Sequence, residues 1–163
     1  MQQYLNKFLL VVSLLLASLW GHAQNEYVVA LPDGRSRCEY KMTIGVKASE
    51  VDGVLIVRRD SIEGFRAALM NEFGISALTF RLTADRSRVV LVDVVSFLDK
   101  WYIRKVLTAD LQYLFAARET DLTHERDKRV VSREADSIVM NNRKLGLCYK
   151  LTPIKEHKDE TDG

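Results

Sequence analysis

The sequence predicts an α+β domain, a curved antiparallel meander of about seven or eight strands with one or two helices packed on it. The stretch Gly53–Leu98 holds four short apolar runs separated by polar or glycine-containing turns, which is typical of consecutive antiparallel strands. The run Leu78–Thr83 alternates, whereas Val54–Val57 and Val89–Val95 are apolar at nearly every position. This mixture predicts a sheet that is partly open to solvent and partly covered on both faces, hence a curved sheet with a lid. From Ser96 the apolar spacing becomes that of an amphipathic helix.

The strands are predicted from period-2 alternation. Glu26–Leu31 is a short strand candidate. Cys38–Val46 alternates cleanly, with Tyr40, Met42 and Ile44 on one face, so a half-buried strand is expected. Within the meander the predicted strands are Val54–Val57, Phe65–Met70, Leu78–Thr83 and Val89–Val95.

The helical segment is predicted to begin at Ser96. Ser96 is a candidate N-cap, and Asp99 three residues later resembles a capping box. Leu98 and Trp101 begin an apolar stripe that continues at i, i+3, i+4 spacing and is expected to face the sheet. Thr108 is a candidate cap for a second helical stretch, and because no strong breaker separates the two stretches, one continuous helix is an equal interpretation.

The chain is predicted to end its fold with a hairpin. Glu119–Asp136 is dense in charges of both signs, which indicates a solvated loop or an exposed hairpin. Ser137–Met140 and Leu145–Leu151 then form the two predicted strands, with Asn141-Asn142 as candidate turn residues.

Residues 1–23 are predicted to be a secretory signal peptide. A short polar start with Lys7 precedes an apolar core, Phe8–Trp20, and small residues precede a cut after Ala23. The alternative is a membrane anchor, but this core is shorter than the roughly 20 residues that a spanning helix needs. We therefore expect a periplasmic or secreted protein that is not an integral membrane protein after cleavage. The expected division is a signal peptide (1–23), one globular domain (24–153) and a polar C-terminal tail (154–163).

Composition and motifs narrow the function classes. A formal net charge of +2 provides no general attraction for nucleic acid, which we do not expect as a partner. Beyond the signal peptide the histidines are His124 and His157, and neither has metal-ligand spacing to another donor, so no metal is expected. The sequence has no phosphate-binding glycine loop, G-x-S-x-G or H-E-x-x-H motif. We expect no cofactor and no enzymatic activity, although a hydrolase with dispersed carboxylates stays open.

Three residues within predicted strands carry polar or reactive side chains. Asp93 lies in an apolar run, so we expect it at a sheet edge or paired with an arginine from Arg58, Arg66 or Arg81. Cys38 and Cys148 are the only cysteines. Their two interpretations are a disulfide and a pair of buried thiols in adjoining core positions, and the disulfide is favoured because unpaired thiols are uncommon in exported proteins.

The meander resembles that of a known family. A glycine-opened strand ending in arginines (GVLIVRR), an F-R strand (GFRAAL), an N-E-F-G turn, an L-T-F strand and a V-V strand leading into a helix are similar to small exported proteins of Gram-negative bacteria. Those proteins resemble the LolA/LolB-like fold of the outer-membrane lipoprotein carrier and receptor. The resemblance covers roughly Val51–Phe115 and implies an incomplete barrel around a hydrophobic cavity lidded by helices. Many relatives carry a lipidated N-terminal cysteine that this sequence lacks, so membrane anchorage is not implied.

The resemblance implies a non-enzymatic envelope protein that binds a lipid, an acyl chain or a lipoprotein in an apolar concavity. Arg58 and Arg59 are then expected near anionic head groups. Two alternatives are an envelope protein–protein interaction module with a filled core and no ligand, in which the lining residues are plain core, and an enzyme. The expected cavity lining is Leu55, Val57, Phe65, Leu69, Phe80, Leu91 and Trp101.

Overall fold

The structure, a computed structural model, describes residues 26–32, 37–46, 49–61 and 64–155. The predicted signal peptide (1–23) and residues 156–163 of the predicted tail lie outside the described residues. Within the described ranges, no helix combines the length and the hydropathy that a membrane-spanning segment needs.

The described chain folds into eight strands and one α-helix. The helix, α1, spans Trp101–Ala116, and one 3-10 turn follows at Glu119–Asp121. The strands are β1 (Arg37–Val46), β2 (Ser49–Ser61), β3 (Gly64–Met70), β4 (Ser76–Thr83), β5 (Val89–Val94), β6 (Arg129–Glu134), β7 (Ser137–Asn142) and β8 (Leu147–Pro153).

All eight strands form one antiparallel sheet in the order β5-β4-β3-β2-β1-β8-β7-β6. The first five strands are a meander, and β8 returns to pair with β1, where Ile44 is opposite Tyr149. Strands β5 and β6 are the two edges of this open sheet, and α1 is the connection between them. The predicted α+β fold, a curved antiparallel sheet that forms an incomplete barrel, is confirmed with eight strands and one helix.

Helix α1 bonds to both open edges of the sheet. On the β5 side, the Val89 N–H donates to Gln112 Oε1 at 2.6 Å. On the β6 side, Arg129 Nε donates to Asp110 Oδ1 at 2.7 Å. The helix therefore joins the two edge strands, through a backbone bond on β5 and a side-chain bond on β6, and lies across the opening of the incomplete barrel.

The concave face of the sheet is packed against the buried face of α1. Phe80 of β4 and Phe115 of α1 are both fully buried, and their rings meet edge to face with centroids 5.5 Å apart. Leu111 and Leu114 complete the buried stripe of the helix. Since each buried side chain of this size stabilises the fold by about 1.5–3 kcal/mol, this interface holds the helix in the barrel.

The prediction of a strand at Glu26–Leu31 is wrong. This segment makes only an isolated bridge, Tyr27 opposite Arg118, next to a bond from the Val28 N–H to the Ala117 carbonyl at 3.0 Å. It is held by buried Arg86, whose guanidinium donates to the Val29 carbonyl at 2.6 Å and lies 3.8 Å from the centroid of the Tyr27 ring.

The predicted N-cap is also wrong. Helix α1 begins at Trp101 after Lys100, which provides no side-chain cap. The Ser96 carbonyl accepts a bond from the Asp99 N–H in a preceding turn, and the Asp99 carboxylate pairs with Arg104 at 2.9 Å. The capping pattern is present in sequence, but the chain uses it for a turn before the helix.

Strand β5 is an edge strand and is not covered on both faces as its apolar run predicted. Val90 and Val92 are each 43% exposed on it. Asp93 is exposed on the same strand, at one of the two positions expected for it. An apolar run therefore failed to distinguish a doubly covered strand from an edge strand.

The charged segment is partly structured. Its second half, Arg129–Glu134, is strand β6, which fits the exposed-hairpin interpretation. The expected turn at Asn141-Asn142 is wrong, because both residues end strand β7 and the chain turns over 143–146, where Gly146 has a φ of 65°.

Candidate functional site

An open apolar groove lies between the N-terminal half of α1 and the end of the sheet where β1, β2 and β8 meet. Its volume is about 530 Å³, within the range of small-molecule sites. The lining residues are aliphatic or aromatic except for Ser49: Ile44, Ser49, Val51, Phe97, Leu98, Tyr102, Ile103, Val106, Leu107, Leu145 and Leu147. We call this feature the apolar groove.

The groove forms because the apolar stripe of α1 extends beyond the packed core. Tyr102 and Val106 are four residues apart, as are Ile103 and Leu107, so both pairs lie on one side of the helix. Deeper in the fold the same stripe is sealed, but at the N-terminal turns only Leu107 is fully buried among these four. The apolar side chains of these N-terminal turns that the core does not cover lie opposite the ends of β1, β2 and β8, and the groove is the space between them.

The sheet side of the groove is determined by strand register. Ile44 of β1 and Val51 of β2 are directly opposed, on the same concave face as the core residue Met42. Leu147 begins β8 beside β1. Because alternate residues of each strand share a face, these three side chains extend the core apolar surface to the end of the barrel.

The rim of the groove carries exposed large apolar side chains. Phe97 is 62% exposed, Tyr102 is 55% exposed and Leu145 is 43% exposed. Trp101 is 78% exposed beside them, with its ring edge to face with Tyr102 at 5.9 Å between centroids. A contiguous group of this kind marks an interaction site more often than scattered surface residues do.

Six of the seven expected lining residues lie on the concave face but not in the groove. Leu55, Val57, Phe65, Leu69, Phe80 and Leu91 are between 0% and 9% exposed and belong to the common core. The structure thus brings these six together as packed core and places the open apolar surface at the end of the barrel. Trp101, the seventh, is a solvent-exposed neighbour of the groove.

The expected head-group arginines are at the other end of the sheet. Arg58 is seven residues beyond Val51 along β2, a distance of about 24 Å at ~3.4 Å per residue. Arg58 and Arg59 are both exposed, and both line a separate surface depression. A ligand in the apolar groove would not reach them with a head group.

The expected disulfide does not form. Cys148 is opposite Gly45 in the β1–β8 register, whereas Cys38 is seven residues earlier on β1, opposite Val57. The two cysteines are therefore about 24 Å apart along the sheet, far beyond the roughly 7 Å between Cα atoms that a disulfide tolerates. The prediction used the rarity of unpaired thiols in exported proteins, which carries no information on where each strand places its cysteine.

A second depression, of about 520 Å³, borders the C-terminal half of α1 and is lined by charged and polar side chains as well as by alanines. Its lining includes Tyr113, Asp121, His124, Arg126 and Arg129. The Tyr113 hydroxyl donates to the Arg129 carbonyl at 3.2 Å, and His124 Nδ1 is 3.1 Å from the Leu122 carbonyl. In the part of the chain that the structure describes, no group of three or more histidine, cysteine or carboxylate side chains is placed to hold a metal ion.

A buried polar cluster links the helix to the last three strands. Asp110 is fully buried, and its carboxylate accepts bonds from Arg129 Nε at 2.7 Å, Asn142 Nδ2 at 2.9 Å and the Tyr149 hydroxyl at 2.8 Å. Burial, and then the negative charge of Asp110, raise the pKa of Tyr149. Sequence analysis missed this cluster, although Asp110 interrupts the apolar stripe between Leu107 and Leu111 and was the available signal.

No protein-family model matches the chain, and a search of curated proteins found no significant match.

Proposed function

We propose that this protein is a non-enzymatic protein of the cell envelope that binds an acyl chain in the apolar groove. The observation that carries the proposal is the groove itself, an open volume of about 530 Å³ whose side-chain polar groups are the hydroxyls of Ser49 and Tyr102. Its lining suits methylene groups, because each CH₂ moved from water into such surroundings contributes about 0.8 kcal/mol.

The geometry favours a chain that enters from the end of the barrel. Phe97, Tyr102 and Leu145 surround the opening, and Ile103, Val106 and Leu107 lie along the helix further in. Met42 and Leu111, the next inward positions on β1 and α1, are fully buried and block deeper entry. The ligand is therefore partly enclosed, with its polar end left in solvent.

The test is binding of N-phenyl-1-naphthylamine, an uncharged apolar fluorophore, to the wild type and to two double variants. We expect Phe97→Glu/Leu145→Glu to weaken binding at least tenfold, because it places two carboxylates at the groove. The matched control is Phe73→Glu/Ile75→Glu, in the β3–β4 turn, where the replaced side chains are 78% and 61% exposed. This control should bind as the wild type does. Absence of binding to the wild type, or equal loss in both variants, would contradict the proposal.

An envelope protein–protein interaction module is the second candidate. The filled core at Phe80 and Phe115 favours it, since the barrel interior holds no ligand space between these rings. On this hypothesis an apolar segment of a partner protein would occupy the groove, with Trp101 and Tyr102 at its border. A folded wild type that binds no alkyl or aromatic probe would favour this function over the first.

A further inference from the structure

The convex face of the sheet carries a row of arginines that runs across four neighbouring strands. In the register, Arg37 of β1 is opposite Arg58 of β2, Arg58 is opposite Arg66 of β3, and Arg66 is opposite Arg81 of β4. All four are exposed. With strands about 4.8 Å apart, the row is about 14 Å long. We call it the arginine row.

Direct opposition of like charges in a sheet is destabilising, so an anion beside this row would stabilise it. The outer members have one each: Arg37 pairs with Glu39 at 2.6 Å, and Arg81 lies 3.7 Å from Asp60. Arg58 and Arg66 have no such ion pair with any residue that the structure describes. The two inner arginines are therefore the members of the row that have no described carboxylate within ion-pair distance.

The surface beside the inner arginines is apolar. A depression of about 500 Å³ is lined by Arg58, Arg59, Asp60 and Arg66 on one side and by Ile56, Ala68 and Met70 on the other. Ile56 is opposite Ala68 in the register, one alternate position from the pair Arg58 and Arg66. These apolar side chains are half-buried although they lie on the outer face. Two guanidinium groups thus adjoin an apolar surface on the same two strands.

We propose that this depression is a binding site for an anionic amphiphile, with a phosphate group between Arg58 and Arg66 and the apolar portion on Ile56, Ala68 and Met70. Arginine matches phosphate because its planar guanidinium donates two parallel hydrogen bonds to a pair of oxygens. The adjoining apolar side chains favour a phosphate attached to an alkyl chain over a free phosphate ion. This site is independent of the apolar groove, which lies at the opposite end of β2.

The experiment is titration with dodecyl phosphate of three proteins, each carrying Phe97→Glu/Leu145→Glu so that the groove does not contribute. Without further change we expect saturable binding. Added Arg58→Gln/Arg66→Gln should weaken it at least tenfold. The matched control is added Lys41→Gln/Lys150→Gln, which removes two exposed charges from β1 and β8 of the same sheet. Equal loss in both variants, or inorganic phosphate binding as tightly as dodecyl phosphate, would overturn the proposal.

A second readout needs no variant. Phenylglyoxal modifies exposed arginines, and peptide mass mapping locates the modified positions in the wild-type protein. Dodecyl phosphate should protect Arg58 and Arg66 at least fivefold, while Arg133 on β6 stays equally reactive. Dodecanol, which enters the groove but carries no phosphate, should protect neither inner arginine. Unchanged modification of Arg58 and Arg66 in the presence of dodecyl phosphate would refute the site, whatever the result of the groove experiment.

Discussion

At the scale of single residues, the carboxylate of Asp110 determines how the helix is attached to the last three strands. It accepts hydrogen bonds from Arg129, Asn142 and Tyr149 while fully buried. A charge in such a place is tolerated only when it is paired and hydrogen-bonded, and removal of one partner leaves the others unsatisfied.

Asp110→Asn should therefore lower the free energy of unfolding by about 3 kcal/mol, since Arg129 would lose its buried counter-charge. The measurement is urea unfolding followed by circular dichroism. Asp99→Asn is the control: it removes a carboxylate at 2.9 Å from Arg104, but that pair is exposed and its loss should cost less than about 1 kcal/mol. If both variants lowered the free energy of unfolding by a similar amount, the buried ion pair of Asp110 would stabilise the fold no more than the exposed pair of Asp99 does.

At the scale of elements, the close approach of β2 to β3 depends on Gly53, in the interior of β2. A Cβ on Gly53 would lie 2.4 Å from the Met70 carbonyl oxygen and 3.0 Å from Leu69 Cδ1. On β1, a Cβ on Gly45 would meet nothing closer than the Cys148 carbonyl oxygen at 3.8 Å. A side chain would therefore clash with β3 at Gly53, whereas β1 has room for one at Gly45.

Gly53→Ala should destabilise the protein by about 1–3 kcal/mol, because backbone must move to admit the methyl group. Gly45→Ala should be neutral or stabilising by up to ~1 kcal/mol, because it only restricts the unfolded chain. Urea midpoints at constant m-value measure both changes. If Gly53→Ala were as stable as Gly45→Ala, the close approach of β2 to β3 would not be a constraint.

The positions of the strands could largely be predicted from the sequence, whereas the groove could not. Alternation in Cys38–Val46 and Leu78–Thr83 located β1 and β4, because period-2 burial is a local property. The apolar run Val89–Val95 located β5 but misjudged its exposure, since sheet order is not encoded in one strand. The groove arises where the stripe of α1 passes the end of β1, a relation between segments about 60 residues apart.

At the scale of the whole molecule, tyrosines buried in the barrel lower the stability at high pH. Burial raises the pKa of Tyr40 from 10.0 to about 12, and its hydroxyl donates to the Ala30 carbonyl at 2.5 Å. The pKa of Tyr149 is raised in the same direction by burial and by Asp110. Only the neutral forms fit these sites, so their contribution is full below pH 10, the unfolded pKa, and is lost as pH rises through 12.

We therefore expect the free energy of unfolding to fall between pH 9 and pH 11.5. Tyr40 alone should account for about 2 kcal/mol of the fall, at roughly 1.4 kcal/mol for each pKa unit. Tyr40→Phe has no proton to lose and should show a correspondingly smaller fall. Urea unfolding at the two pH values is the measurement, and a wild-type free energy that stays constant over this interval would refute the expectation.

The sequence by itself determined the class of fold, an antiparallel meander followed by a helix and a closing hairpin. It could do so because alternation, turn residues and helical spacing act within a few residues of each other. Tertiary structure alone decided that α1 bonds to both sheet edges, that Phe115 fills the concavity against Phe80, and that Cys38 and Cys148 lie apart. It also decided the alignment of Arg58 with Arg66 and the position of the groove. These are matters of register and packing between distant segments, and a shift of a strand by a single residue would change the contacts of that strand while leaving its local sequence pattern intact.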